Sequence, residues 1–264
     1  MADDIIYEVD DPVATITLNR PDKLNALTMP MLREMRAAVD QAATDPAVFG
    51  IVITGAGRGF CSGLDAAALG QTTAAGSSGK PPDTGEVPGL FTYLLNVPKP
   101  VIAAVNGVAA GGGFVLTVMS DVRFVSPDAS FITIFSKRGL ISEHGTTWIV
   151  PRLVGAGRAL DLLWTSRKVS GGEAVDMGLA EYLSEPGQLL AQARQYIVDM
   201  AENVSPASIA DTKRLVYSQL GVGYQQALRE TDEAQWVALD RVDAKEGATA
   251  LIEKRAANFP RLGG

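Results

Sequence analysis

Apolar runs separated by polar, glycine-rich breaks dominate the first half of the chain. The run over residues 5–18 is broken at Asp10-Asp11-Pro12 and predicts a pair of strands joined by a turn, because β-branched residues flank turn-forming ones. Residues 49–54, 101–105 and 122–125 predict three more strands, of which the first is buried by its continuous apolar run. The segments between the strands include helical patterns, which indicates an α/β core.

A helical spacing of apolar residues appears after Thr28 and dominates beyond residue 151. Thr28 is a candidate N-cap for a helix that runs to about residue 44, with Met31, Met35 and Val39 on one face. The glycines at 111–113 predict the start of another helix, of about nine residues. Further helices are predicted at 155–165, 171–177, 186–202 and 206–220, followed by two between 224 and 258. We therefore expect a core over residues 1–200 and a helical segment over residues 201–264.

Length and charge narrow the class of protein. The chain has 264 residues, of which 47% are hydrophobic and 20% charged, as expected for one large soluble domain. Its formal net charge of −7 argues against a nucleic-acid binder, which needs a basic surface. The acidic start, Met1-Ala2-Asp3-Asp4, does not resemble a signal peptide, so we expect a cytoplasmic protein that does not bind membranes.

Cysteine and histidine each occur once, as Cys61 and His144. One cysteine cannot form an intramolecular disulfide and suits a reducing compartment. Zinc sites built from several Cys and His side chains are excluded for the same reason, and no Asp/Glu cluster suggests another metal.

Two glycine-rich turns share one design, in which an apolar strand is followed by glycines and a helix start. The first spans residues 51–65 and contains Gly55-Ala56-Gly57-Arg58-Gly59 and Gly63, and the second spans residues 101–114 and contains Gly111-Gly112-Gly113. Such turns expose backbone N–H groups that can bind a phosphate or an oxyanion. Neither turn has the spacing of a dinucleotide or P-loop fingerprint. Two tight turns without chemistry remain the alternative.

Motifs along nearly the whole chain resemble the crotonase superfamily, also called the enoyl-CoA hydratase/isomerase family. The matching segments are Leu18-Asn19-Arg20-Pro21, Asn25-Ala26-Leu27, Gly59-Phe60-Cys61-Ser62-Gly63-Leu64-Asp65, Lys99-Pro100-Val101-Ile102-Ala103-Ala104-Val105-Asn106-Gly107, Gly111-Gly112-Gly113 and Ser120-Asp121-Val122-Arg123-Phe124-Val125-Ser126. Near the C-terminus, Glu246-Gly247 and Glu253-Lys254-Arg255 with Phe259 also match.

The resemblance implies a spiral of ββα units with a C-terminal helical segment that mediates assembly into a homotrimer or hexamer. It implies an acyl-CoA thioester as substrate, with coenzyme A as part of that substrate and no separate cofactor. It also implies an oxyanion hole formed by the N–H groups of Leu64 and Gly112. Two such donors stabilise the charge that develops on a thioester oxygen when a proton leaves the neighbouring carbon.

The same resemblance implies contacts with the coenzyme A moiety. The residues concerned are Lys23, Asn25, Ala26, Arg58, Ser62, Asp65, Lys254, Arg255 and Phe259. For the basic residues, a solvated surface charge is the alternative. Asp65 is expected chiefly to order the turn that contains Leu64.

Both glutamates that hold water in hydratases of this family are absent at the matching positions. Val115 and Phe135 stand there instead, and apolar side chains cannot position or deprotonate water. Glu143 lies eight residues after Phe135, at a register where other family members carry a reactive carboxylate. We therefore expect Glu143, and less strongly His144, to be catalytic. Since consecutive side chains point in different directions, we do not expect these two to face the same site.

One carboxylate is better suited to isomerisation than to hydration, because it can remove a proton from one carbon and return it to another. The leading hypothesis is therefore a single-base proton transfer such as enoyl-CoA isomerisation. The alternatives are a hydratase that uses Glu143 as a displaced acid/base, and a non-catalytic acyl-CoA-binding protein. The Gly/Ser/Pro-rich segment 71–89 is expected to be a loop that shapes the acyl pocket.

Overall fold

Two β-sheets organise the protein in a computed structural model that describes residues 3–65 and 89–263. The larger sheet has six strands in the order β1-β2-β3-β5-β7-β10, and only the β1–β2 pair is antiparallel among these. Its strands are β1 (Ile5–Asp10), β2 (Val13–Leu18), β3 (Gly50–Gly55), β5 (Val101–Val105), β7 (Val122–Val125) and β10 (Tyr182–Leu183). The predicted loop at 71–89 lies outside the described residues except for Gly89.

The smaller sheet has four strands in the order β4-β6-β8-β9. They are β4 (Gly59–Cys61), β6 (Val108–Ala110), β8 (Ser130–Ile132) and β9 (Val169–Ser170). The first three run parallel, and β9 pairs antiparallel with β8.

Successive segments of the chain alternate between the two sheets. β3, β5 and β7 are neighbours in the large sheet, and the strand that follows each of them, β4, β6 and β8, takes the corresponding place in the small sheet. A helix follows β6 and another follows β8. This repetition is the predicted spiral of ββα units, and it brings the turns between the strands together at one side of the molecule.

Nine α-helices lie within the described part of the chain. They are α1 (Met29–Thr44), α2 (Gly112–Val118), α3 (Thr146–Val154), α4 (Ala156–Thr165), α5 (Gly171–Asp176), α6 (Leu189–Asn203), α7 (Pro206–Gln219), α8 (Tyr224–Leu239) and α9 (Val242–Glu253). The Thr28 side chain accepts a hydrogen bond from the N–H of Met31, which confirms the predicted N-cap of α1. The sequence prediction missed α3, which has Pro151 in its interior.

Apolar side chains pack on both faces of the large sheet. The main core includes Ile51, Ile53 and Ala103, while Val52 and Ile102 pack on the other face against α6. Burial on both faces explains why β3 and β5 consist mostly of apolar residues.

The helices after residue 203 are less embedded than those before it. In α7, the Lys213 ammonium lies 2.7 Å from the Asp121 carboxylate, which ties the helix to the edge of the large sheet. None of the residues of α8 is buried in the single chain. In the part of the chain that the structure describes, no helix combines the length and hydropathy needed to cross a bilayer.

Candidate active site

The first glycine-rich turn carries Leu64 out of the small sheet. Gly63 has φ +93°, and a Cβ there would lie 2.8 Å from the Ala110 carbonyl oxygen, so the position requires glycine. Leu64 forms a parallel bridge with Leu27, in which the N–H of Leu27 donates to Gly63 and the N–H of Asp65 donates to Leu27. Because N–H groups alternate in direction along an extended chain, the N–H of Leu64 points away from Leu27.

The second turn places Gly112 beside the first. Gly112 begins α2, so its N–H is among those that have no acceptor within a helix. The Gly112 nitrogen lies 3.3 Å from the point where a Cβ of Gly63 would stand. A Cβ on Gly113 would lie 2.1 Å from the Cys61 carbonyl oxygen. The two turns therefore pack backbone against backbone, and the N–H groups of Leu64 and Gly112 belong to adjoining segments.

Asn25 holds the first turn in shape from within. Its side chain is fully buried and donates to the carbonyl oxygens of Ala56, Gly59 and Phe60 at 2.8–3.2 Å. Its amide oxygen accepts the N–H of Arg20 at 2.8 Å. The structure thus places this predicted coenzyme A contact inside the turn, where its side-chain amide has internal partners.

Arg20 closes the same turn from outside, a role that sequence reasoning did not identify. Its guanidinium donates to the Ala26 carbonyl at 2.5 Å and lies 3.3 Å from the Asp65 carboxylate. The side chains of Arg20 and Asp65 are 20% and 25% exposed, so the pair is partly shielded from water. The Asp65 carboxylate thus has a charged partner from a segment that lies 45 positions earlier in the chain. The available signal was the Leu18-Asn19-Arg20-Pro21 motif.

Glu143 and His144 lie in the turn that leads into α3. The His144 Nε2 atom lies 3.6 Å from the Glu143 Oε2 atom, so the expectation that these side chains diverge is wrong. His144 adopts φ +57°, a left-handed conformation that changes the usual relative direction of consecutive side chains. The Glu143 side chain is 38% exposed, whereas that of His144 is 24% exposed.

The electrostatics of this pair favour a neutral imidazole. Burial lowers the pKa of His144 below its ordinary value of 6.5, and the negative charge of Glu143 opposes that shift. The separation of 3.6 Å is longer than a good hydrogen bond. Glu143 therefore sits beside a polar ring that leaves its carboxylate accessible.

Gly89 and Leu90 connect the Glu143–His144 turn to the second glycine-rich turn. A Cβ on Gly89 would lie 3.4 Å from the Cα of His144, and a Cβ on Gly112 would lie 3.6 Å from a terminal methyl of Leu90. The turn that carries Glu143 is thus separated from Gly112 by one layer of residues.

Val115 and Phe135 are parts of the hydrophobic core. Val115 is fully buried and Phe135 is 6% exposed. Cys61 is also buried, and burial raises the pKa of its thiol to about 12, so it is not a reactive thiolate at neutral pH.

The predicted coenzyme A contacts fall into two groups. Lys23 and Ser62 are neighbours, since the Ser62 hydroxyl donates to the Lys23 carbonyl at 3.3 Å. Arg58 is exposed on the first turn, whereas Ala26 is buried beneath it. These residues surround the turn that leads to Leu64.

The second group lies at the end of α9. Arg255 donates to both carboxylate oxygens of Glu246 at 2.6 and 2.9 Å, and these bonds with that from the Asn258 N–H lower the pKa of Glu246 to about 2. Lys254 is exposed, and Phe259 packs near Gly247. No contact within the described part of the chain joins this group to the glycine-rich turns. Residues 3–65 and 89–263 also contain no cluster of three metal-ligating His, Cys, Asp or Glu side chains.

Known proteins match this chain over almost its whole length, and they belong to the family that the sequence motifs resemble. The family model described as enoyl-CoA hydratase/isomerase matches residues 8–261. A crotonyl-CoA hydratase from Syntrophomonas wolfei is 33% identical over 258 residues, covering 97% of this chain and 98% of the relative. A 1,2-epoxyphenylacetyl-CoA isomerase from Escherichia coli is 31% identical over 264 residues, covering 98% and 99%.

Solved structures show the same architecture. The crystal structure of an enoyl-CoA hydratase from Bacillus anthracis superposes with a TM-score of 0.88 at 27% identity, covering 99% of this chain and 100% of that one. These three similar proteins thus include two that are named as hydratases and one that is named as an isomerase.

Proposed function

Because the chain belongs to the enoyl-CoA hydratase/isomerase family, we propose that it isomerises an enoyl-CoA thioester by single-base proton transfer through Glu143. The observation that carries this proposal is that the two usual hydratase positions hold apolar residues, whereas position 143 holds a glutamate. Val115 and Phe135 are buried in the core, whereas Glu143 has a partly exposed carboxylate and lies in a turn that packs against Gly89, next to Leu90 and Gly112.

The N–H groups of Leu64 and Gly112 are the proposed donors to the thioester oxygen. Three observations support this donor role: the direction of the Leu64 N–H, the position of Gly112 at a helix start, and the close packing of the two turns. Each donor of this kind contributes about 10²–10³ in rate when it is aimed at the oxygen on which charge develops.

The reaction follows from one base and two donors. The Glu143 carboxylate removes a proton from C2 of a 3-enoyl thioester, and the released electron pair spreads over the diene and onto the thioester oxygen. The Leu64 and Gly112 N–H groups stabilise that oxygen. The Glu143 carboxylic acid then returns the same proton to C4, which leaves the double bond between C2 and C3. No water and no second base are consumed.

His144 has a positioning role in this proposal. A neutral imidazole 3.6 Å from the carboxylate limits where the Glu143 side chain can lie without neutralising its charge. The lowered pKa of His144 keeps the ring neutral at pH 7.

The first glycine-rich turn has Lys23, Arg58 and Ser62 around it. We propose that these three residues contact the coenzyme A moiety of the substrate. Lys23 and Arg58 are exposed and can approach its phosphates without losing a buried partner. Lys254, Arg255 and Phe259 fit this role in an assembly in which α9 of another copy reaches the site. Trp236, Leu251 and Ile252 are 64%, 80% and 81% exposed in the single chain, which supports a homotrimer or hexamer built through α8 and α9.

The decisive experiment compares wild-type protein with Glu143→Gln on 3-enoyl-CoA and 2-enoyl-CoA substrates. Glutamine keeps the shape but cannot take a proton, so kcat for isomerisation should fall by about 10²–10⁴-fold. Glu202→Gln, at an exposed position of α6, is the matched control and should keep wild-type activity. Equal activity of wild type and Glu143→Gln would remove Glu143 from the mechanism.

Hydration is the second candidate, because the crotonyl-CoA hydratase from Syntrophomonas wolfei is similar over nearly the full length of both chains. In that case Glu143 would activate water without a partner carboxylate. Formation of 3-hydroxyacyl-CoA from crotonyl-CoA, lost in Glu143→Gln, would favour hydration. Tight calorimetric binding of acyl-CoAs without turnover of any thioester would favour a binding protein.

A further inference from the structure

A cavity of about 740 Å³ lies between α7, the start of α3 and the 3₁₀ helix Thr92–Asn96. Its volume is within the range that holds a drug-sized ligand, and it exceeds the space needed by a four-carbon acyl group. The glycine-rich turns do not line it, so it is a separate space from the place proposed for the thioester.

The cavity begins next to the candidate base. Gly145, which lines it, follows His144 directly in the chain. Thr92 also lines it and packs against Gly89, since a Cβ on Gly89 would lie 2.9 Å from the Thr92 methyl group. Gly89 in turn contacts the backbone of His144. The cavity therefore adjoins the turn that carries Glu143.

The wall of the cavity nearest this entrance is apolar and adaptable. The Met119 methyl group lies 3.1 Å from the point where a Cβ of Gly145 would stand, so Met119 narrows the entrance. Trp148 forms the adjacent wall, with the Arg152 guanidinium 4.3 Å from its ring centroid. A thioether adjusts its shape and makes favourable contacts with aromatic rings, and an indole presents a flat face.

Charges on the far wall are already paired. Lys213 lies 2.7 Å from the Asp121 carboxylate. Asp211 lies 3.4 Å from Arg214 and 2.6 Å from Arg241. A charged end of an acyl group would therefore compete with existing ion pairs and lose its hydration, whereas an uncharged end would not.

We propose that this cavity binds the far end of the acyl group and selects an uncharged aromatic or branched end over a carboxylate. The inference rests on the proposed function, because it takes an acyl-CoA as the ligand, but it makes no assumption about which proton Glu143 moves. It assigns the substrate class as acyl-CoAs with a bulky, neutral terminus.

The test is calorimetric binding of 4-phenylbutanoyl-CoA, adipoyl-CoA and acetyl-CoA to the full-length protein. The wild type should bind 4-phenylbutanoyl-CoA at least about tenfold more tightly than the other two. Ala210→Trp fills the cavity from α7 and should abolish this preference while leaving acetyl-CoA affinity within about twofold. Thr212→Trp, on the exposed face of the same helix, is the matched control and should keep the preference.

Ala210→Leu provides a smaller obstruction if the tryptophan variant does not fold, and it should weaken the preference in the same direction. Equal loss of affinity for all three ligands in the Ala210 variants, or no preference in the wild type, would overturn the inference while leaving the proposed function in place. Tighter binding of adipoyl-CoA than of 4-phenylbutanoyl-CoA would also overturn it. Failure of every acyl-CoA to bind would overturn both.

Discussion

Gly113→Ala is the sharpest test of how the two glycine-rich turns are held together. The added methyl group would stand 2.1 Å from the Cys61 carbonyl oxygen and 2.8 Å from the Cys61 carbonyl carbon. Real Cβ atoms essentially never approach another heavy atom closer than 3.0 Å. Since the obstacle is backbone, the turns must separate by about 0.9 Å to relieve the closest contact.

The expected cost has two parts. Overpacking of a dense interior costs about 1–3 kcal/mol, and the better helix propensity of alanine offsets about 1 kcal/mol, so the free energy of unfolding should fall by at most about 2 kcal/mol. The effect on catalysis should be larger, because a displacement near 1 Å in the reacting geometry costs about 10²-fold. Gly113→Ala should therefore lower kcat/KM far more than a general loss of stability would.

Urea unfolding and steady-state isomerisation, measured on the same preparations, separate these two effects. Gly157→Ala is the matched control, since it also introduces an alanine near the start of a helix, here α4, but its methyl group would meet no heavy atom within 4 Å. It should keep activity within about tenfold of wild type. Wild-type activity in Gly113→Ala would refute the argument that contact between the turns sets the donor geometry.

Two further predictions concern charge. Asp121→Asn should lower the free energy of unfolding by about 3–5 kcal/mol, because the shielded Lys213 ammonium loses its counter-ion. In urea titrations, the double variant that also carries Lys213→Met should recover most of that loss. Wild-type stability of the single variant would contradict this prediction. Burial holds the folded-state pKa of His144 below 6.5, so the unfolded chain binds the proton first as the pH falls. The stability conferred by the neutral ring is present above about pH 6.5 and is lost below it, so the free energy of unfolding should fall more between about pH 7.5 and pH 5.5 in wild type than in His144→Asn. Equal slopes for the two proteins would exclude His144 as the source.

The central strands could be predicted because their burial leaves a continuous apolar signal. β3, β5 and β7 lie where apolar runs predicted strands, and α1 begins at the predicted cap Thr28. β4, β6 and β8 were not predicted, because each has only three residues. Glycines that favour turns flank β4 and β6, and β8 follows the turn-forming residues Ser126-Pro127-Asp128. The helix α3 was missed since Pro151 signals a boundary, although it is tolerated inside this helix.

Sequence motifs predict which residues belong to the candidate site, but they do not predict how its side chains are arranged in space. The matching segments predict Leu64 and Gly112 as donors, and the spacing from Phe135 predicts Glu143 as the base. The approach of the Glu143 and His144 side chains accompanies a left-handed backbone at His144, and a non-glycine residue in that conformation has little sequence signal. The contact between Arg20 and Asp65 spans 45 positions of the chain and depends on the tertiary fold.

In the parallel bridge between Leu27 and Leu64, the N–H groups of successive residues point alternately toward and away from the partner segment. Leu64 presents its N–H away from Leu27 because its two neighbours use the bridge. Insertion or deletion of one residue before Leu64 would exchange these directions and turn the donor toward Leu27. Replacement of the leucine side chain would not. The number of residues in this loop is therefore under tighter physical constraint than the side chain at position 64.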